Sequence, residues 1–277
     1  MSVVLITGCS SGIGEATARR LLARGHTVYA TARRPETLTE LAAAGATTLA
    51  LDVTDEESMV SAVKEVEAAH GAVGALVNNA GYGLQGPIEE TPLDEVRRQL
   101  ETNFFGLVRL TQLVLPAMRD AKQGRIVNVS SMGGRLALPG GAFYHASKWA
   151  VEAYSDVLRL EVGPFGVKVS IIEPGPVITP WSEVAVNTIE EAPTGPYAQF
   201  RNDLSSGLAS YYEGPKARLA SSADDVAKAI SKAVESGHPK PRYVVGPVAR
   251  AMVTSRRLLP DRVWDFSLRR SYPTPRG

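Results

Sequence analysis

A single cysteine, Cys9, stands in the whole sequence. That excludes an internal disulfide and leaves no thiol set for zinc. The four histidines, His26, His70, His145 and His238, are scattered without metal-ligand spacing, so no metal is expected. An excess of charge of one sign is missing too: 30 Lys and Arg oppose 29 Asp and Glu, a formal net charge of +1. Such a balance offers no global attraction to nucleic acid or to anionic lipid, and no nucleic-acid partner is expected. No apolar run approaches the ~20 residues of a membrane helix, so no integral span is expected either. The opening run from Met1 to Gly8 has no basic segment before it, and further glycines follow at once. It reads as a first strand rather than a signal peptide, and the expected setting is the cytoplasm. Internal repeats and low-complexity tracts are also missing.

What the chain does have is apolar material in short, spaced runs. Hydrophobic residues make up 44% of the 277 positions, enough to bury the sheet of one α/β domain over 1–277. Runs dense in Val, Ile and Leu at 3–7, 27–31, 47–52, 75–78, 125–129, 167–172 and 242–245 are continuous rather than alternating. Parallel strands covered on both faces require that. Helical patterns lie between them at 14–24, 35–44, 56–70, 93–119, 144–162 and 223–235. The alternation predicts a doubly wound parallel sheet, a Rossmann-type α/β fold of about seven strands with helices on both faces.

Two segments depart from this alternation. Residues 176–221 show only weak helical periodicity and scatter Trp181, Ile189, Tyr197, Phe200, Tyr211 and Tyr212 among Gly, Pro and acids. A structureless segment of this length, beyond a strand's carboxyl end, reads as a substrate-binding lid. The C-terminal extension, 247–277, carries a basic amphipathic pattern broken by Pro260. It is expected over the substrate site, at a subunit contact or on a membrane surface.

The first predicted strand runs into Thr7-Gly8-Cys9-Ser10-Ser11-Gly12-Ile13-Gly14 and then a helix. Glycines here let the backbone turn tightly and approach a pyrophosphate held by the N–H groups of the helix start. The context makes Gly8, Ser10, Ser11, Gly12, Ile13 and Gly14 candidate cofactor residues, although a tight strand-to-helix turn needs glycine in any case. Cys9 reads as a small loop residue. The second strand ends Ala32-Arg33-Arg34, with no acid until Glu36. Guanidinium forks suit a 2′-phosphate where a carboxylate would suit free ribose hydroxyls, so NADP(H) is expected over NAD(H). The alternative is a pair of solvated arginines before a helix. Asp52, followed by Val53, either receives the adenine or caps the next helix.

Tyr144 and Lys148 stand at i and i+4 of a predicted helix and so share a face. A phenol titrates near 10, and a neighbouring ammonium favours its phenolate, which suits proton transfer to or from a substrate oxygen. Upstream, the fifth strand ends in Ser130 and Ser131, either of which could bind that oxygen or cap a turn.

Taken together, these residues resemble the short-chain dehydrogenase/reductase family, the branch of about 250 residues with a TGxxxGxG turn and a YxxxK pair. The resemblance covers roughly 1–180 and resumes at the seventh strand. It rests on the turn at 7–14, Asn78-Asn79-Ala80-Gly81, Asn103, Ser131, Tyr144, Lys148 and Pro174-Gly175 in order and at family spacing. The resemblance implies a catalytic tetrad of Asn103, Ser131, Tyr144 and Lys148. Lys148 would also hold the nicotinamide ribose. Asn79, Ala80 and Gly81 would support the cofactor, and Pro174, Gly175, Val177 and Thr179 would run along its carboxamide. Some NADP-dependent members carry a basic residue just before the second glycine; this chain has Ser11 there. A homodimer or homotetramer is expected.

Candidate substrate walls are Tyr82, Leu84, Arg135, Leu136, Phe143, Val177 and Trp181. They are mostly apolar, which suggests a lipophilic carbonyl or alcohol. The pattern is closest in look to hydroxysteroid and retinol dehydrogenase-like members. A reductase of 3-ketoacyl thioesters is the alternative, and a basic carrier-docking patch beside the pocket would favour it. A non-catalytic NADP-binding regulator would not need the tetrad.

Overall fold

The computed structural model describes residues 1–189, 194–213 and 215–275. The first half alternates strand and helix: β1 (Val3–Ile6), α1 (Gly12–Ala23), β2 (Thr27–Ala32), α2 (Thr39–Ala43), β3 (Thr47–Ala50), α3 (Glu56–His70) and β4 (Ala75–Asn78). Then follow α4 (Leu93–Leu100), α5 (Gly106–Asp120), β5 (Gly124–Val129), α6 (Ala142–Val162) and β6 (Val167–Pro174). The remainder comprises β7 (Val177–Ile178), α7 (Trp181–Val186), α8 (Ala198–Glu213), β8 (Ser221–Ser222), α9 (Ala223–Glu235), β9 (Arg242–Val245), α10 (Pro247–Leu258) and α11 (Asp261–Ser271).

Seven strands pair in the order β3-β2-β1-β4-β5-β6-β9, all parallel. The continuous apolar runs are explained by burial on both faces: Val4, Leu5 and Ile6 of β1 and Ala75, Leu76 and Val77 of β4 are fully buried. Side chains of alternate strand positions enter two separate cores. One is closed by α1 and α9, with Leu21, Val226 and Ile230; the other by α3, α5 and α6, with Val63, Leu110 and Leu158. The order reverses beside β1, which opens a crevice at the carboxyl edge.

Two expectations change. The helix expected over 93–119 is interrupted by a wide π turn at Glu101–Phe105. Two contacts with distant segments accompany it: Asn103 turns its amide onto the backbone of Tyr82, and Gly106 lies against Val53. A Cβ on Gly106 would stand 2.3 Å from the Val53 carbonyl oxygen. The segment 176–221 is not structureless. It holds α7, α8 and a 3-10 turn at Pro215–Leu219, and its two ends are paired as β7 with β8. Ile189, Phe200 and Leu204 form a small core of their own, which supplies the apolar anchor that weak periodicity concealed. The side chains of Tyr211 and Tyr212, and residues 190–193 and 214, lie outside the description. The tail forms α10 and α11, divided at Pro260 as expected, and residues 276–277 are likewise outside. Among the described residues no helix is long and apolar enough to cross a membrane.

The Gly106 contact predicts that Gly106→Ala destabilises the chain by about 1–3 kcal/mol, the usual cost of overpacking. A urea midpoint equal to that of the wild type would contradict this reading of the π turn.

Candidate active site

The crevice is a cleft of about 790 Å³ along the carboxyl ends of the strands. At one end β1 passes into a turn with Gly8 at φ +72° and Gly12 at φ +61°. A Cβ on Gly14 would lie 2.1 Å from the Gly8 carbonyl oxygen, so strand and helix touch there and only glycine fits. Ser11 caps α1 in extended conformation without a side-chain hydrogen bond, leaving first-turn N–H groups for an anion. Asn79 fixes the turn from β4: its amide donates to the carbonyls of Thr7 (2.9 Å) and Gly8 (3.1 Å). Burial pushes the Cys9 thiol up to about 12, so it is an inert part of this turn.

Arg33 lines the cleft at the end of β2 and has no ion-pair partner among the described residues. Arg34 is exposed and does not line it, which leaves Arg33 alone for the role expected of the pair. Asp52 and Val53 line the same end. One carboxylate oxygen of Asp52 accepts from the backbone N–H and hydroxyl of Thr54, at 2.9 and 2.8 Å. Ser10, Ser11, Gly12, Ile13, Asn79, Ala80 and Gly81 complete this end, with Pro174, Gly175, Val177 and Thr179 along the side.

At the other end α6 carries Tyr144, His145, Lys148 and Glu152. Lys148 is buried, donates from Nζ to the Val129 carbonyl at 2.9 Å, and stands 5.8 Å from the centre of the Tyr144 ring. Burial lowers its pKa to about 8, against a smaller opposing pull from Glu152 one turn along. Glu152 itself is raised to about 7 by burial and by Glu173. Both carboxylates meet the same nitrogen of Arg242, at 3.0 and 3.1 Å. Ser131 is half-buried in the cleft, and its hydroxyl accepts from the N–H of Gly133 at 3.0 Å. His145 lines the cleft too, but its Nδ1 pairs with the Gly133 carbonyl at 3.0 Å and burial lowers its pKa. It is a neutral brace between α6 and the Ser131 turn.

Asn103 does not line the cleft. It lies one layer behind, donating to the Tyr82 carbonyl (2.9 Å) and to the Ser147 hydroxyl (3.1 Å). Only Gly81 separates it from Lys148: a Cβ there would be 2.9 Å from Asn103 Oδ1 and 3.7 Å from Lys148 Nζ. Four expected walls are absent from the cleft. Leu136 and Leu84 are buried in packing, Phe143 is half-buried elsewhere, and Arg135 is bound to Glu173 at 3.0 Å. Trp181 is present, its ring 5.4 Å from that of Tyr144, with Gly83 flat against the indole. Residues not singled out from the sequence also line it: Leu138, then Leu204 and Gly207 of the segment expected as a lid, and Tyr272 and Pro273 of the extension expected over the substrate site. The tail reaches α8 here: a Cβ on Gly207 would stand in ordinary contact with Pro273, at 3.7 Å.

A glycine turn at a helix start, a serine turn and a Tyr–Lys helix meet around one cleft. The chain belongs to the short-chain dehydrogenase family, whose model matches residues 2–189. It is 37% identical over 272 residues to a 3-ketodihydrosphingosine reductase of Bacteroides thetaiotaomicron, covering 98% of this chain and 97% of that one. It is 37% identical over 287 residues to a 17-beta-hydroxysteroid dehydrogenase type 6 of Bos taurus, covering 98% and 89%. A solved short-chain dehydrogenase from Streptomyces avermitilis superimposes with a TM-score of 0.80 at 35% identity, covering 98% of each chain. The family makes the chain an oxidoreductase acting on CH–OH groups.

The environment of Lys148 predicts that its ammonium titrates near pH 8, far below surface lysines near 10.4. Glu152→Gln removes a carboxylate that holds the proton on, so the midpoint falls further. Lysine-selective NMR checks both, and a Lys148 midpoint among those of the surface lysines would refute the burial argument.

Proposed function

We propose that this chain interconverts a carbonyl and a primary or secondary alcohol on a lipophilic small molecule, of the hydroxysteroid or retinol kind, with NADP(H). The observation that carries the reading is the convergence of Ser131, Tyr144 and Lys148 on one cleft whose far end holds the glycine turn and Arg33. The turn fits a dinucleotide: the first N–H groups of α1 lack a side-chain cap, and no Cβ could be placed at Gly14. Gly8, Ser10, Ser11, Gly12, Ile13 and Asn79 would hold the pyrophosphate end, Arg33 the 2′-phosphate, and Lys148 the nicotinamide ribose. Bound nicotinamide would supply a hydride in reduction and accept one in oxidation.

Ser131 holds the substrate oxygen. Tyr144 donates its phenolic proton to that oxygen in reduction and takes it back in oxidation. Lys148, charged below about pH 8, offsets the phenolate charge. Asn103, close to Gly81 and Lys148, would position a water that links Lys148 to solvent for a proton relay. The helices α7 and α8 close over the substrate and exclude water, which strengthens these interactions. Trp181, Val184, Leu138 and Leu204 give that end an apolar lining. The relatives named for 3-ketodihydrosphingosine and a hydroxysteroid, both lipids, agree with it. A second reading, reduction of a 3-ketoacyl thioester, is favoured by one observation: the arginine-rich tail runs beside this end. Self-association, as a homodimer or homotetramer, is supported by an exposed apolar stripe on α6, formed by Trp149, Ala153, Val157 and Leu160 at i, i+4, i+8 and i+11.

NADPH oxidation with a panel of ketones, aldehydes and ketoacyl thioesters tests the reading. In the same assay Tyr144→Phe loses roughly 10²–10⁴-fold in turnover, the usual contribution of a general acid, while cofactor binding persists. Turnover at the wild-type level would remove Tyr144 from the mechanism.

Arg33→Asp should raise the KM for NADPH by roughly tenfold or more, the effect of losing a charge-assisted phosphate contact, and alter NADH use far less. Equal use of both cofactors by the wild type would overturn the NADP assignment.

A further inference from the structure

The near-neutral total conceals a strongly uneven distribution. After residue 248 the chain has seven arginines and two aspartates, a net charge of +5 in a chain whose total is +1. On α11 the asymmetry becomes a face. Arg262, Phe266, Arg269 and Arg270 follow at i, i+4, i+7 and i+8, with Val263 beside them, inside one sector of roughly 120° of a helix with about 3.6 residues per turn. All five are exposed; Phe266 and Val263 stand 60% and 48% open. The aspartates lie off this sector, and Asp261 pairs with Arg256 at 2.7 Å. The opposite side of the helix carries Trp264, which is buried with Arg256 of α10 over its ring, while on the exposed side the Arg270 guanidinium stacks 4.9 Å from the centre of the Phe266 ring.

Position gives this face its meaning. The residues that follow α11 without a break, Tyr272 and Pro273, line the substrate end of the cleft, and Pro273 approaches Gly207 of α8. A surface held by α11 is therefore held next to that opening. We infer that the Arg262–Phe266–Arg269–Arg270 face of α11 docks on an anionic membrane surface, so that a lipophilic substrate passes from the bilayer into the cleft. Arginines interleaved with an exposed phenyl ring match an interfacial helix: the cations meet anionic headgroups and the ring enters the acyl boundary. An acidic protein partner would use the arginines but has less use for exposed Phe266 and Val263. The delivery rests on the lipophilic substrate proposed above; the docking does not.

The test floats the full chain with vesicles of phosphatidylcholine alone and of phosphatidylcholine mixed with phosphatidylglycerol. The wild type should bind the mixed vesicles and leave them as salt rises, and should not bind the neutral ones. Reversing three charges together (Arg262→Glu, Arg269→Glu and Arg270→Glu) should weaken binding by roughly a hundredfold or more at low salt. Phe266→Ser should weaken it by about tenfold. Both variants should turn over a small water-soluble ketone at the wild-type rate, which shows that they are folded. Equal binding to both vesicles, or wild-type binding by the triple variant, overturns the docking. Binding to neither vesicle, with capture of an acidic acyl-carrier protein instead, overturns it in favour of the protein partner. Docking without turnover of any lipophilic carbonyl would leave the membrane face standing and reject the substrate class.

Discussion

Parallel pairing of β1 with β2 on one side and with β4 on the other sends the chain in opposite lateral directions from the centre of the sheet. The turns that leave β1 and β4 therefore part, and the space between them is the head of the cleft. Asn79 ties the two turns across that space through the carbonyls of Thr7 and Gly8. The cost of the arrangement is a close approach of strand to helix that only Gly14 permits. Later strand ends add residues to the same cleft: Arg33 after β2, Asp52 beyond β3, Ser131 beyond β5, and Pro174 with Gly175 at the end of β6.

The charges under the site are organised by burial. Lys148, Glu152 and Glu173 are all removed from water, a placement that costs several kcal/mol per ion unless each is paired or neutralised. Arg242 and Arg135 meet the carboxylates from β9 and from the turn after β5. Glu152 responds by holding its proton to about pH 7, and Lys148 by releasing its own near pH 8. Burial thus lowers the lysine's hold on its proton beside the Tyr144 ring, 5.8 Å from its ammonium. Strand β9, far along the chain, is part of this balance.

The substrate end is built differently. Short segments remote in sequence meet there: Trp181 from α7, Leu204 and Gly207 from α8, Leu138 from the turn before α6, and Tyr272 with Pro273 after α11. The paired ends β7 and β8 bring residues 177–178 and 221–222 together. The excursion between them consequently rests on the body as a unit with its own small core. Arg201 of α8 meets Glu90 and Tyr197 meets Glu89, which fastens that unit to the loop after β4.

Seven strands could be read from sequence because a doubly covered strand must be apolar at successive positions, a property that short windows display. The strand runs match within two residues at each end, and the helices at 56–70 and 223–235 match at both ends. The glycine turn, Ser131, Tyr144 and Lys148 were also legible, since backbone geometry and helical spacing constrain them locally. Other features depended on contacts between distant segments. The π turn at Asn103 answers to Tyr82 and Val53; Arg135 answers to Glu173; Leu136 and Phe143 are kept from the cleft by packing that no local pattern encodes. Arg33 and Arg34 are identical in type and adjacent, and only the path of the chain after β2 decides which of them faces the cleft. By itself, then, the sequence determined the sheet, the glycine turn and the Tyr–Lys pair, because each depends on spacing along one segment. Only the tertiary structure decided the substrate walls and the charge balance beneath them, because burial depends on what every other segment covers.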